Sequence, residues 1–160
     1  GQAILSKFPI IGAASFTLPV PESSNGETRS LAIVVVEVEE VQLAFMTVHL
    51  DHRSDVDRKF QIEQMLEHTE KFEQYPIIFG GDFNMTPSNV NFSLVKKQFK
   101  MVTDQHPLTY PQINPSRAID FILLNGRAFE LFDVAKYYTV REEYASDHLP
   151  VVIELKLKKK

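Results

Sequence analysis

The sequence predicts a mixed α/β or α+β domain, with strands of a layered sheet interleaved with two helices. Three stretches carry this expectation. Residues 31–38 and 41–50 are dense in β-branched and apolar side chains and are separated only by Glu39-Glu40, the pattern of an antiparallel hairpin. Residues 54–72 open with Ser54-Asp55-Val56-Asp57, which resembles a capping box, and then set Ile62, Met65, Leu66 and Thr69 along one helical face. Ile77-Ile78-Phe79 is an apolar run without polar interruption, as in a strand buried on both faces.

Taken in order, Ala3-Ile4-Leu5 is a short strand candidate closed by Pro9. Residues 19–28, rich in Pro, Ser, Asn, Gly and Glu, read as a surface loop ahead of the hairpin. After the Ile77 strand, Gly80-Gly81 lets the backbone turn or approach a neighbour closely. Thr86-Pro87 reads as the N-cap and first position of a second helix to Phe99, whose Phe92, Val95 and Phe99 recur at core spacing. Residues 104–117 form a long proline-containing loop of the kind that shapes a site. Strands follow at 118–124, 134–140 and 151–157, and Lys156, Lys158, Lys159 and Lys160 make a solvated end.

Composition narrows the function classes. One hundred and sixty residues with 44% hydrophobic content and twelve phenylalanines build one domain with a real core. The absence of cysteine excludes disulfides, zinc-thiolate sites and thiol catalysis. A net charge of −4 argues against nucleic-acid binding driven by overall charge, without bearing on a local basic groove. No apolar run approaches the roughly 18–20 residues of a membrane span. The chain opens at Gly1 and not at a methionine, so its targeting stays open.

Four polar clusters interrupt or end these apolar strands. Asp82 and Asn84, two apart, face the same way in extended chain while Phe83 points to the core; such a pair can hold a cation's water or a phosphate oxygen, although an Asp/Asn turn has the same composition. Asp120, flanked by Ile119 and Phe121, is a carboxylate that costs stability unless paired or turned to water at a sheet edge. A histidine is its natural partner, and His148 is the candidate; Asp147 and His148 can share one site only if the backbone before Pro150 is irregular. His49 ends an apolar strand, as a phosphate-binding or a structural histidine. The His49-Leu50-Asp51-His52 string is similar to part of a binuclear zinc motif, but Thr47 stands where that motif needs a further histidine.

In combination, Gly80-Gly81-Asp82-Phe83-Asn84, Ile119-Asp120-Phe121-Ile122 and Ser146-Asp147-His148-Leu149-Pro150, in that order, resemble the endonuclease/exonuclease/phosphatase family. The Val48-His49-Leu50-Asp51-His52 and Ala3–Ile10 stretches are similar to further segments of it. The resemblance implies a four-layer α/β/β/α sandwich of the deoxyribonuclease-like type with its site where two sheets meet. It also implies a single domain over residues 1–160 that lacks the family's N-terminal strands. By the same resemblance Asp82 and Asn84 position and activate the attacking water, His148 oriented by Asp120 contacts the phosphoryl group, His49 holds a phosphate oxygen and Asp147 contributes to a magnesium site, with manganese as an alternative. Arg29 is a weaker candidate for approach to phosphate.

Two departures qualify that transfer. Met46-Thr47-Val48 precedes His49 where relatives usually show Asn-Thr. The family's principal metal-binding Glu and an Asn belong ahead of Ala3, and none of Glu22, Glu27, Glu37, Glu39 or Glu40 has a matching context. The implied activity is a magnesium-dependent hydrolase of phosphodiester or phosphomonoester bonds, on nucleic acid, phospholipid head group or sugar phosphate, with the chain as written feeble or inert. The competing expectation is a non-catalytic binding module on the same fold, and self-association through a bare sheet edge is a third. Residues 104–117, with Tyr110, Pro111 and Arg117, are where selectivity is expected.

Overall fold

A computed structural model describes residues 1–158; Lys159 and Lys160 of the expected solvated tail lie outside the described residues. A six-stranded sheet in the order β1-β2-β3-β4-β6-β5 is built from β1 (Ile10–Leu18), β2 (Arg29–Val38), β3 (Val41–His49), β4 (Ile77–Asp82), β5 (Lys100–Met101) and β6 (Asp120–Leu124). A two-stranded sheet pairs β7 (Phe132–Thr139) with β8 (Val151–Leu157). The helices are α1 (Asp55–Glu70), α2 (Phe92–Val95) and α3 (Gly126–Leu131). The mixed α/β class predicted from the sequence is the observed one.

Burial alternation on the strands sorts the residues into two cores. On one face of the large sheet, Ile77 and Phe79 of β4 pack with Ile62 and Met65 of α1 and with Phe92 and Val95 of α2. On the other face, Ile78 and Leu124 pack with Ala128 and Phe132, and with Val134 and Leu155 of the small sheet. The layers are therefore helices, large sheet, small sheet. A polar tie crosses between the sheets, where the Tyr137 hydroxyl accepts a hydrogen bond from the Ile122 amide at 3.2 Å.

Local chemistry accounts for most element bounds. Glu39 and Glu40 take φ of 49° and 67°, the left-handed pair a two-residue hairpin turn requires. Ser54 caps α1 by accepting from the Asp57 amide at 3.2 Å. β3 and β4 pair in parallel with α1 as their crossover, whereas β4 and β6 are antiparallel.

Two expectations are corrected. Ala3-Ile4-Leu5 is not a strand: residues 1–9 are irregular, Leu5 is exposed, and only Ile4 packs against the second core. The ladder forms instead at Ile10–Leu18, which pairs along its length with β2; its small and polar residues hide the strand in the sequence. The helix expected from Pro87 to Phe99 shrinks to one turn at Phe92–Val95. There the Asn89 side chain accepts from the Asn91 amide, and both asparagines also donate to Asp55, so side chains compete with the helix for backbone groups. Phe92, Val95 and Phe99 are nonetheless buried as expected. The two-residue β5 and the α3 turn were not signalled by periodicity. Asn125 starts α3 by accepting from both Ala128 and Ile77 amides.

Candidate active site

The site begins with strand register. β4 lies between β3 and β6, and at its end His49, Asp82 and Asp120 fall on one rung: His49 opposite Asp82, and Asp82 opposite Asp120. Rung partners project from the same face of a sheet, so three functional side chains are juxtaposed by hydrogen-bond register alone. Gly81 lets the strands close. A Cβ there would lie 2.3 Å from the Val48 carbonyl oxygen, which no side chain tolerates.

Asn84 joins by a turn and not by strand alternation. Its φ is 51°, its amide donates to Asp82 Oδ1 at 2.8 Å, and its Nδ2 donates to Leu50 O at 3.0 Å and Asp82 Oδ2 at 3.2 Å. The turn reading and the site reading of Asp82-Phe83-Asn84 thus describe one object, with Phe83 fully buried beneath it.

His148 arrives from the irregular segment before β8. Its Nδ1 lies 2.9 Å from Asp120 Oδ2, and both side chains are largely buried. With the carboxylate accepting, Nδ1 carries the proton and Nε2 is left for the pocket. His49 Nε2 lies 3.4 Å from Asp82 Oδ2. Asp147, exposed, lines the same cavity at its rim. That cavity, about 400 Å³, brings together His49, Asp82, Asn84, Asp147 and His148, with Arg29 and Arg117 on its walls. A larger cavity of about 610 Å³ lies against Ile77, at the other end of β4, and contains none of the candidate site residues.

The electrostatics show a carboxylate pair short of positive charge. Burial, and next the negative charge of Asp120, push the Asp82 carboxyl above its ordinary value. Burial holds the His49 imidazole below its ordinary value; Asp82 opposes that shift, and Arg29, His148 and His52 reinforce it. Asp82, Asp120 and His148 offer ligand atoms all within 4.8 Å of one another. Two carboxylates and an imidazole in a half-buried cleft, one carboxyl disfavoured as an anion for want of countercharge, form a donor set that fits a divalent cation.

Sequence reasoning missed two participants. Thr109, fully buried, accepts at its hydroxyl from the Ile119 and Asp120 amides at 3.2 and 3.3 Å. His52, set aside with the zinc motif, stands 3.3 Å from Arg29 Nη2 through its Nδ1 and lines the pocket. Arg29 also pairs with Glu27 at 3.0 Å, and its side chain is 15% exposed, so it is not the surface arginine that a loop position suggests. Nothing in periodicity or composition marks Thr109, because its partners are distant backbone amides.

Comparison with known proteins bears on these observations. The family model described as Endonuclease/Exonuclease/phosphatase family matches residues 1–148. No curated protein matches significantly. Among solved structures, a conserved protein of unknown function from Enterococcus faecalis superposes with a TM-score of 0.81 at 23% identity, over 95% of this chain and 68% of that one. A mannosyl-6-phosphatase from Bacteroides thetaiotaomicron gives 0.79 at 18% identity, over 94% and 68%. The human Nocturnin catalytic domain with bound sulfate gives 0.68 at 16% identity, over 94% and 60%. At these identities the superpositions speak for the fold, and the family match covers nearly the whole length. The chain belongs to the endonuclease/exonuclease/phosphatase family.

Proposed function

We propose that this chain carries the reaction centre of a metal-dependent phosphoesterase that cleaves a phosphodiester or phosphomonoester by attack of water. The observation that carries the reading is the 2.9 Å contact of His148 Nδ1 with Asp120 Oδ2, beside an Asp82 that faces Asp120 across the ladder. A mannosyl-6-phosphatase among the similar folds and the bound sulfate of the Nocturnin domain are consistent with phosphate-ester chemistry.

Each residue has a role that its surroundings support. Asp120 fixes the ring of His148 and stabilises its protonated form, so Nε2 contacts the phosphoryl group and passes a proton to the leaving oxygen. Asp82, whose carboxyl favours the proton more than an ordinary aspartate does, is the acceptor for the attacking water. Asn84, locked by its three hydrogen bonds, orients that water. His49, biased towards its neutral form, holds a phosphate oxygen by a hydrogen bond and not by charge. A magnesium or manganese ion held by Asp82, Asp120 and His148, with Asp147 adding a carboxylate from the rim, would supply charge stabilisation of the phosphoryl oxygens.

The test is hydrolysis of 4-nitrophenyl phosphate and bis(4-nitrophenyl) phosphate by the full-length protein with Mg²⁺ or Mn²⁺, before and after EDTA. Turnover abolished by chelator, and reduced about 10²- to 10⁴-fold in His148→Ala and Asp82→Ala, is the expected outcome. Unchanged rates in either variant overturn the role given to that residue. Retained binding of inorganic phosphate without any turnover favours the binding-module reading.

A further inference from the structure

Residues Thr109 to Gln112 touch both halves of the Asp120–His148 pair. The Thr109 hydroxyl accepts from Ile119 and Asp120 amides at 3.2 and 3.3 Å, and its carbonyl accepts from the amide of Leu149, next to His148, at 2.8 Å. Tyr110 lays its ring 4.8 Å from that of His148, and the Gln112 amide donates to the Asp147 carbonyl at 2.9 Å. Strand pairing explains why an extra acceptor is needed. β5 covers β6 only at Leu123 and Leu124, so the amides of Ile119 and Asp120 have no neighbouring strand on that side. A buried amide without a partner costs about 1–3 kcal/mol, and one buried hydroxyl serves two of them.

We propose that Thr109 is a positioning residue for the Asp120–His148 pair. Its hydroxyl holds the Asp120 backbone and its carbonyl holds the segment that carries His148, so two side chains separated by 28 residues meet at hydrogen-bond distance. The consequence for turnover rests on the phosphoesterase reading, whereas the geometry does not. Reacting groups displaced by about 1 Å lose roughly a hundredfold in rate, which sets the scale of the effect.

Thr109→Ser and Thr109→Ala in the full-length protein both drop the methyl group and differ only in the hydroxyl. In Thr109→Ala, kcat on bis(4-nitrophenyl) phosphate falls roughly 10- to 100-fold while KM stays within about twofold; in Thr109→Ser, kcat stays within about threefold of the parent. Independently of turnover, proton NMR of the parent shows a low-field imidazole N–H resonance that is absent in Asp120→Ala and in Thr109→Ala and kept in Thr109→Ser. The proposal is overturned if Thr109→Ala keeps both kcat and that resonance, if Thr109→Ser loses them equally, or if KM rises as steeply as kcat falls. A parent protein with no turnover removes the phosphoesterase reading, and the resonance then decides the proposal by itself. Should Thr109→Ala fail to fold, Thr109→Asn, which restores a side-chain acceptor, recovers the fold and the resonance; failure to recover either overturns it.

Discussion

Asp82 combines a functional role with a cost to folding. Because burial and Asp120 raise its proton affinity, the folded chain binds that proton more tightly than the unfolded chain does. Stability therefore falls as pH rises from the ordinary carboxylate value through the raised one, the reverse of a salt-bridged aspartate. Asp82→Asn removes the charge and keeps an oxygen for the Asn84 amide. Urea unfolding at pH 7 without divalent ions should show a gain of about 0.5–2 kcal/mol, while turnover drops by the factors given above. A variant less stable than the parent under those conditions contradicts the electrostatic account. His49 has the opposite sign: its lowered value favours the neutral ring, so its contribution is present above the ordinary histidine value of 6.5 and fades as pH falls through the folded one.

β4 is the element on which the site depends, and its two glycines make different demands. At Gly80 an added Cβ meets the Ile122 side chain at 3.7 Å, an ordinary contact. At Gly81 it meets backbone at 2.3 Å, so β3 and β4 must part exactly where His49 faces Asp82. Gly81→Ala is expected to cost about 1–3 kcal/mol or more and to disturb the His49–Asp82 spacing, whereas Gly80→Ala stays within about 1 kcal/mol. Denaturation midpoints of the two variants check this, and equal midpoints would contradict it. The sequence marks Gly80-Gly81 as a place of close approach; only the register with Val48 tells which glycine is indispensable.

At the scale of the whole molecule, two sheets must stay in register for the site to exist, since Asp120 starts β6 of one and His148 precedes β8 of the other. Apolar packing of Ile78, Leu124 and Phe132 supplies adhesion without direction. The Tyr137–Ile122 hydrogen bond supplies direction. Tyr137→Phe leaves the Ile122 amide without its partner and should cost about 1–3 kcal/mol, with faster hydrogen exchange at Ile122 than at Phe79. Unaltered exchange at Ile122 would show that the amide is satisfied otherwise.

Chain-local physics made several features legible: the Glu39-Glu40 hairpin, the Ser54 cap, the buried run at Ile77 and the final strand at Val151 follow from neighbours a few residues apart. The polar residues Asp82, Asp120 and His148 were legible as oddities because each breaks an apolar context. Where Ile10–Leu18 lies was not legible, since small residues form a strand only when β2 offers a ladder. Nor was the short α2, where Asn89 and Asn91 bind Asp55, a residue more than 30 positions away. The same holds for the site itself. Local sequence determined which side chains carry chemistry, but their meeting was decided by strand register and by the Thr109 bracket, because hydrogen bonds between distant backbone segments leave no periodic trace along the chain.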